Sequence, residues 1–362
     1  LFTANLLAQK GLNVKVFEAK DSLNHSPRTL IVTNYFETFA DSIVEDTVVN
    51  KIHRFELFAD GRVATVSLKR PDLVIERSAL IQKLAGEAEA NGAEIVTGQS
   101  FSGFKGNGRK LRCSFFCNGD KDLKEWPVHT LVGADGTFSR VARAGGWEQQ
   151  ATVPLLQAVV ELPEDMPSDT TRVWFLPDET PYFFWLIPHS PTHGVLGLIA
   201  EDASRGKMAL EWFLKRKGIV SKALQSALIP LYTGWVPVRR KKGGNDVYLV
   251  GDAASHVKVT TVGGVVTGLR GAKGVAEAIL NGGHSAEFRS LRRELDLHLL
   301  IRKSLNGFGE ADYVRLLDML TPSSRRLLSS YSRDEAIKLL LSLLVMQPQF
   351  VLLGLRALFN GN

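Results

Sequence analysis

Asp246-Val-Tyr-Leu-Val-Gly-Asp-Ala-Ala254 is an apolar run that ends on Gly-Asp, and the glycine-rich Thr260-Thr-Val-Gly-Gly264 follows closely. A short continuous apolar run bounded by turn residues reads as a buried strand. The small residues over Val265–Leu280 then predict a helix. In such a strand-turn-helix, Asp252 at the strand end can accept a sugar hydroxyl, and backbone N–H groups at the helix start can meet a phosphate. A lone Gly-Asp carries little weight, because many unrelated turns contain one.

Working outward, Leu131-Val-Gly-Ala-Asp-Gly-Thr-Phe-Ser-Arg-Val-Ala-Arg143 repeats the pattern. It predicts a strand to Gly133, a tight turn at Asp135-Gly136 and a helix carrying Arg140 and Arg143. Nearer the start, residues 1–10 have apolar positions at helical spacing and stop at Gly11, and Asn13-Val-Lys-Val-Phe-Glu18 alternates into a strand ending on an acid. A helix without an N-cap, followed by a strand ending in Glu, is the second half of a βαβ unit. In dinucleotide-binding folds the first half is a strand with a Gly-x-Gly-x-x-Gly turn, expected here just upstream of Leu1, and the closing acid bonds the ribose hydroxyls. Any amphipathic helix with a surface acid gives the same local pattern; the order and spacing of the three segments favour the nucleotide-binding reading.

Glu18 closing a βαβ, Val132-Gly-Ala-Asp-Gly136 and Val250-Gly-Asp-Ala-Ala254 resemble the three flavin-binding signatures of the glutathione-reductase-type FAD fold, in the branch that contains aromatic hydroxylases. Within that branch, residues 250–265 are most similar to the geranylgeranyl reductase family of FAD-dependent oxidoreductases. The resemblance implies an α/β chain with a discontinuous Rossmann-like FAD-binding domain, an inserted antiparallel substrate sheet and a C-terminal helical region. Its expected division is residues 1–70, 71–150 and 241–283 for the FAD-binding parts, 151–240 for the substrate sheet and 284–362 for the helical region.

By the same resemblance, Glu18 binds the adenosine ribose, Arg77 lies near the flavin and its phosphates, and Asp135-Gly136 lies near FAD and a pyridine nucleotide. Gly251 and Asp252 serve the ribityl and pyrophosphate groups. Gly263 and Gly264 let backbone approach the flavin, and the helix start beyond them opposes negative charge on the reduced ring. The bland alternatives are a surface acid for Glu18, an exposed helix-start cation for Arg77 and a turn-only role for Asp135. The chain departs from the reductases at Val259, where Pro is usual, and at Val262, where Gly is usual. It has no cysteine in residues 21–33, where many archaeal members have one. Lys258 is expected to help shape this loop, and His256 is expected near the flavin or satisfied locally.

Residues 153–206 hold four alternating apolar and aromatic stretches, read as antiparallel strands. In Phe183-x-Trp185-x-Ile187-Pro188, period-two spacing sends Phe183, Trp185 and Ile187 to one face, a wall suited to a long apolar substrate or equally to a plain core. The element is similar to Tyr-x-Trp-x-Phe-Pro of the reductases and also to Trp-x-Trp-x-Ile-Pro of flavin halogenases. No Ser-His-Asp set, metal-ligand cluster or evident proton donor is present.

The 362 residues, 44% hydrophobic and 23% charged, have ordinary globular composition, and a net charge of +6 is too mild to indicate nucleic-acid binding. Two cysteines cannot staple such a chain, which favours a reducing, cytoplasmic setting. Residues 284–362 carry eleven Lys or Arg against eight Asp or Glu, and two Leu-rich helices in 334–359 are broken at Gln347-Pro-Gln349. That break argues against a spanning helix and leaves a bilayer-surface element, a cover over the substrate, or a core hairpin. The expected activity is hydride reduction of isoprenoid double bonds by FAD, with NAD(P)H or ferredoxin as reductant, on a hydrophobic small molecule or lipid, with peripheral membrane contact and an electron-donor protein as further expected partners. The alternatives are an aromatic monooxygenase or halogenase, and a degenerate non-catalytic flavoprotein.

Overall fold

The computed structural model describes residues 1–360 apart from 25, 41, 42, 107 and 120–122. Helix α1 (Phe2–Ala8) ends shortly before Gly11, which takes a φ of +76°. Strands β1 (Lys15–Phe17) and β2 (Thr29–Val32) follow. The one-turn helices α2 (Glu37–Ala40) and α3 (Val44–Thr47) lead into a long hairpin, β3 (Val48–Ala59) and β4 (Arg62–Glu76). Helix α4 (Arg77–Ala90) is capped by Glu76, whose carboxylate accepts from the Ala79 N–H at 2.8 Å. Strand β5 (Glu94–Val96) then pairs in parallel with β1.

Strands β6 (Gln99–Gly106), β7 (Leu111–Cys117) and β8 (Leu123–Val128) form a separate antiparallel sheet. Cys113 and Cys117 lie on β7 as free thiols, and burial pushes the Cys113 thiol up to about 11. Strand β9 (Thr130–Gly133) leads to α5 (Arg140–Gly145).

The four aromatic stretches form β10 (Thr152–Glu161), β11 (Thr170–Trp174), β12 (Phe184–Pro188) and β13 (His193–Ile199). After α6 (Ala203–Lys217), β14 (Ser221–Pro230) completes an eight-stranded sheet in the order β14-β10-β13-β12-β11-β3-β4-β2. Neighbours among β10 to β13 run antiparallel, but β11 runs parallel to β3, with Thr170 to Trp174 opposite Arg54 to Phe58. Strands of residues 29–76 and 152–230 thus share one sheet. Strand β15 (Arg239–Lys242) is antiparallel to β16 (Asn245–Leu249), and β16 is parallel to β9.

All five residues of β12 are buried. Phe184 and Leu186 pack toward α6, where the Phe184 and Phe213 rings stack at 4.4 Å. Phe183, Trp185 and Ile187 take the opposite face and share an apolar cluster with Val257 and Val262. Gly197 stands opposite Trp185 in β13, and a Cβ there would lie 2.6 Å from the indole. Its missing side chain makes the space into which Trp185 fits.

Helix α7 (Val265–Leu280) matches the expected range, and α8 (Ala286–Asn306) packs beside it, joined by the Arg270–Glu287 ion pair at 2.7 Å. Residues of α9 (Glu310–Asp318) join Ala59, Ala64 and Val66 of the β3–β4 hairpin in one core. Helix α10 (Pro322–Ser330) lies on β4, and α11 (Ala336–Met346) and α12 (Gln349–Asn360) follow. Leu353 and Ala357 of α12 are buried in that same core. Among the described residues no helix is long and apolar enough to cross a membrane.

Replacing Gly197 by Val should therefore displace the Trp185 indole and destabilise the fold by about 1–3 kcal/mol, the usual cost of overpacking. A lowered urea midpoint together with a shifted tryptophan emission maximum checks this.

Candidate functional site

Strands β9 and β16 leave their sheet side by side, with Gly133 opposite Leu249 and the Val250 N–H donating to the Gly133 carbonyl at 3.0 Å. Gly251 then turns at φ +64° into a 3-10 turn over Gly251–Ala254. A Cβ on Gly264 would lie 3.4 Å from the Asp252 Oδ1, and one on Gly268 would lie 3.9 Å from the Gly251 Cα. The first turn of α7 is thus pressed against Gly251 and Asp252. Gly264 is its N-cap and no side chain caps it, so its first N–H groups and positive dipole end are available to a ligand.

Two arginines face Asp252. Burial pushes the Asp252 carboxyl up, while Arg77 and then Arg28 pull it back. Burial, then Arg77, lowers the Arg28 guanidinium, and the Arg28 Nε is buried without a hydrogen-bond partner. The backbone fixes both: the Arg28 N–H donates to Glu76 Oε1 at 2.9 Å, and the Arg77 N–H donates to the Arg28 carbonyl at 3.0 Å. An uncapped helix start, an arginine whose buried Nε has no partner and a second arginine suit a ligand carrying both phosphate and hydroxyl groups. Sequence reasoning named Arg77 and Asp252 and missed Arg28, whose role comes from the β2–α4 junction rather than from a local motif.

Glu18 lies half-buried at the end of β1, and its carboxylate accepts from the Lys20 N–H at 2.9 Å. Its neighbour Phe17 packs against the cluster that holds Ala253 and Ala254, which ties the end of β1 to the turn at Asp252. Asp135 is turned into its own helix, accepting from Ser139 Oγ at 2.5 Å, Arg140 N–H at 2.7 Å and Val141 N–H at 3.1 Å. Gly136 supplies the φ of +80° that this turn needs. The geometry of Asp135 is that of a helix cap.

Between the Asp252 turn and α7 runs the loop 257–264. The Lys258 N–H donates to the Gly263 carbonyl at 3.1 Å, and Val262 has a φ of +52°. A β-branched residue in that region carries strain of about 1–3 kcal/mol and persists only where its surroundings hold it. Val257 and Val262 meet Trp185 and Ile187 in one cluster, with Phe183 packed against it, so the aromatic wall borders the loop that carries Gly263 and Gly264. Val259 points away, into a core with Tyr232, Leu291 and Leu295. His256 is buried against Trp235 and Gly271 with both ring nitrogens unpartnered, and burial lowers it to about 3. Among the described residues no group of three or more His, Cys, Asp or Glu could hold a metal ion.

No family model matches the sequence. Over 284 residues the chain is 24% identical to digeranylgeranylglycerophospholipid reductase 3 of Methanosphaera stadtmanae, covering 74% of this chain and 68% of that protein. A geranylgeranyl bacteriochlorophyll reductase-like protein of Thermoplasma acidophilum superimposes with a TM-score of 0.75 at 16% identity, covering 97% of this chain and 94% of its own. A variant of halogenase PltM in complex with FAD gives 0.62 at 12% identity, with 98% and 83% covered. The chain has the fold of these flavoproteins, and its resemblance to the geranylgeranyl reductases holds in sequence and in structure.

Two buried histidines give the fold a specific acid sensitivity. Burial lowers His256 to about 3, and burial followed by Lys258 lowers His298 to about 3, against an ordinary value near 6.5. Below about pH 6.5 the unfolded chain binds protons that the fold refuses, so stability is lost as pH falls toward 3. At pH 4.5 each histidine should cost about 2–3 kcal/mol relative to pH 7.5. Urea midpoints at the two pH values should therefore differ less in His298→Asn than in the parent chain.

Proposed function

We propose that the chain is an FAD-dependent oxidoreductase that saturates isolated double bonds of a polyprenyl chain borne on a lipid, a diphosphate or another carrier. The observation that carries this reading is the buried apolar cluster of Phe183, Trp185, Ile187, Val257 and Val262, which borders the Gly263-Gly264 turn. A long hydrocarbon would be seated beside such apolar side chains, because its recognition is almost wholly burial and shape. Arg28, Arg77 and the start of α7 would hold the FAD pyrophosphate, Asp252 a ribityl hydroxyl, and Glu18 the adenosine ribose. When bound, FAD in its reduced form supplies the hydride for one alkene carbon, and a proton completes the saturation at the other. The chain itself seats the substrate, excludes water from the wall and opposes negative charge with the positive end of α7. NAD(P)H or reduced ferredoxin would provide the electrons, the latter making an electron-donor protein a partner.

A second reading, oxygen-dependent halogenation or hydroxylation of an aromatic compound, is supported by the Phe-x-Trp-x-Ile-Pro element, which also fits the halogenase pattern. Incubating the dithionite-reduced protein anaerobically with a geranylgeranyl lipid separates the two. Mass spectrometry should show two hydrogens gained per double bond, and Trp185→Ala should lower conversion roughly tenfold or more. Absence of that gain, with oxygen-dependent NADPH consumption on an aromatic substrate, would favour the second reading.

We also propose that a lipid substrate is reached at a bilayer surface from the cytoplasmic side. Leu341, Val345, Leu352 and Leu355 of α11 and α12 are exposed, Val345 to 85%. A cleft of about 630 Å³ beside them places Arg315 and Arg356 among Met319, Met346 and Leu352. Apolar side chains flanked by cations suit an anionic interface. The protein should cosediment with phosphatidylglycerol vesicles and much less with phosphatidylcholine vesicles, and the double change Val345→Glu with Leu352→Glu should abolish cosedimentation.

A further inference from the structure

We infer that Asp334, in the linker between α10 and α11, positions the loop 258–264 through Lys258, so that the C-terminal helical region forms the floor of the candidate flavin site. The coupling stands on the structure alone; only its importance for FAD rests on the function proposed above.

Lys258 and Asp334 form an ion pair whose side chains are 7% and 1% exposed. Thr33 donates to the other Asp334 oxygen at 2.5 Å, so both carboxylate oxygens are occupied. A Cβ on Gly263 would lie 3.6 Å from the Lys258 Cε. The lysine stem therefore runs beneath the Gly263-Gly264 turn, and its ammonium is held from below. Burial alone would push the Asp334 carboxyl up; Lys258, Thr33 and Arg333 outweigh it and keep it below the ordinary range.

The linker is itself fixed. Arg333 pairs with Asp72 on β4 and lies over the Phe55 ring at 4.9 Å. The Ala336 N–H donates to Glu294 of α8 at 2.7 Å. A second tether joins the loop to α8, where Thr260 Oγ1 and His298 Nδ1 meet at 2.7 Å. The loop thus carries a strained residue, Val262 at φ +52°, shortly after two anchors, at Lys258 and Thr260, whose partners belong to the C-terminal region. Strain of this kind survives only where neighbours over-determine the backbone. With one partner of a buried pair removed, the remaining charge must find water or another carboxylate, and either move of Lys258 disturbs the turn that rests on its stem.

The test uses the full chain without cofactor. In Asp334→Asn, hydrogen exchange followed by mass spectrometry should show amides 258–268 exchanging roughly tenfold faster, with β12 and β13 at parent rates. Thr33→Val, a milder change that leaves the ion pair in place, should speed the same amides about twofold or more. If Asp334→Asn does not fold, Thr33→Val decides alone. FAD titration of the folded variants should show affinity lowered about fivefold or more relative to the parent, beyond any common loss of stability. Unchanged loop exchange in the folded variants overturns the inference, and so does a uniform acceleration over the whole chain, which would mark a purely structural pair. A parent chain that takes up no FAD while loop exchange still responds would instead defeat the flavin reading and leave the coupling standing.

Discussion

Strand β12 has no face to give to water, and much of the architecture follows from that constraint. Its even-numbered aromatic, Phe184, is claimed by α6 through the stack with Phe213, which commits its neighbours Phe183 and Trp185 to the other side. Strand geometry allows nothing else, because successive side chains must alternate. The second face needs its own cover, and the loop after β16 provides Val257 and Val262. Gly197 is fixed by the same requirement, since the indole of Trp185 fills the volume that any side chain there would occupy.

The polar half of the site is built on the opposite logic. Around Asp252 the structure gathers charge and leaves it incompletely satisfied: Arg28 Nε has no partner and the start of α7 has no side-chain cap. Elsewhere buried charge is closed off in pairs, as in Arg270 with Glu287 and Lys258 with Asp334. Buried charges are normally paired, and the contrast within one molecule is what makes the surroundings of Asp252 the candidate site.

What could be read in the sequence was what neighbours in the chain decide. The run into Gly251-Asp252, the helix over Val265–Leu280 and the shared face of Phe183, Trp185 and Ile187 all express local periodicity, and the structure has each of them. Features set by distant partners left no such trace. The parallel seam of β11 on β3, the approach of Arg28 to Asp252 and the hold of Asp334 on Lys258 join segments far apart in the chain. Asp135 shows a subtler difficulty. An Asp-Gly turn before a helix can cap the helix and bind a ligand at once, and the three bonds made to Ser139, Arg140 and Val141 show the cap.

The β11–β3 seam also has a history during synthesis. Glu56 and Arg172, which bond across it at 2.8 Å, are 116 residues apart. At a ribosomal rate of about 5–20 residues per second, the outer edge of β3 waits roughly 6–20 s for its partner. An unpaired edge of twelve residues is a template for aggregation unless something guards it. Lys51, Arg54 and Glu56 recur along that strand, and two of them later find opposite charges, Arg54 with Asp169 and Glu56 with Arg172. The charges that meet across the finished seam are thus of the kind that guards an unpaired strand edge.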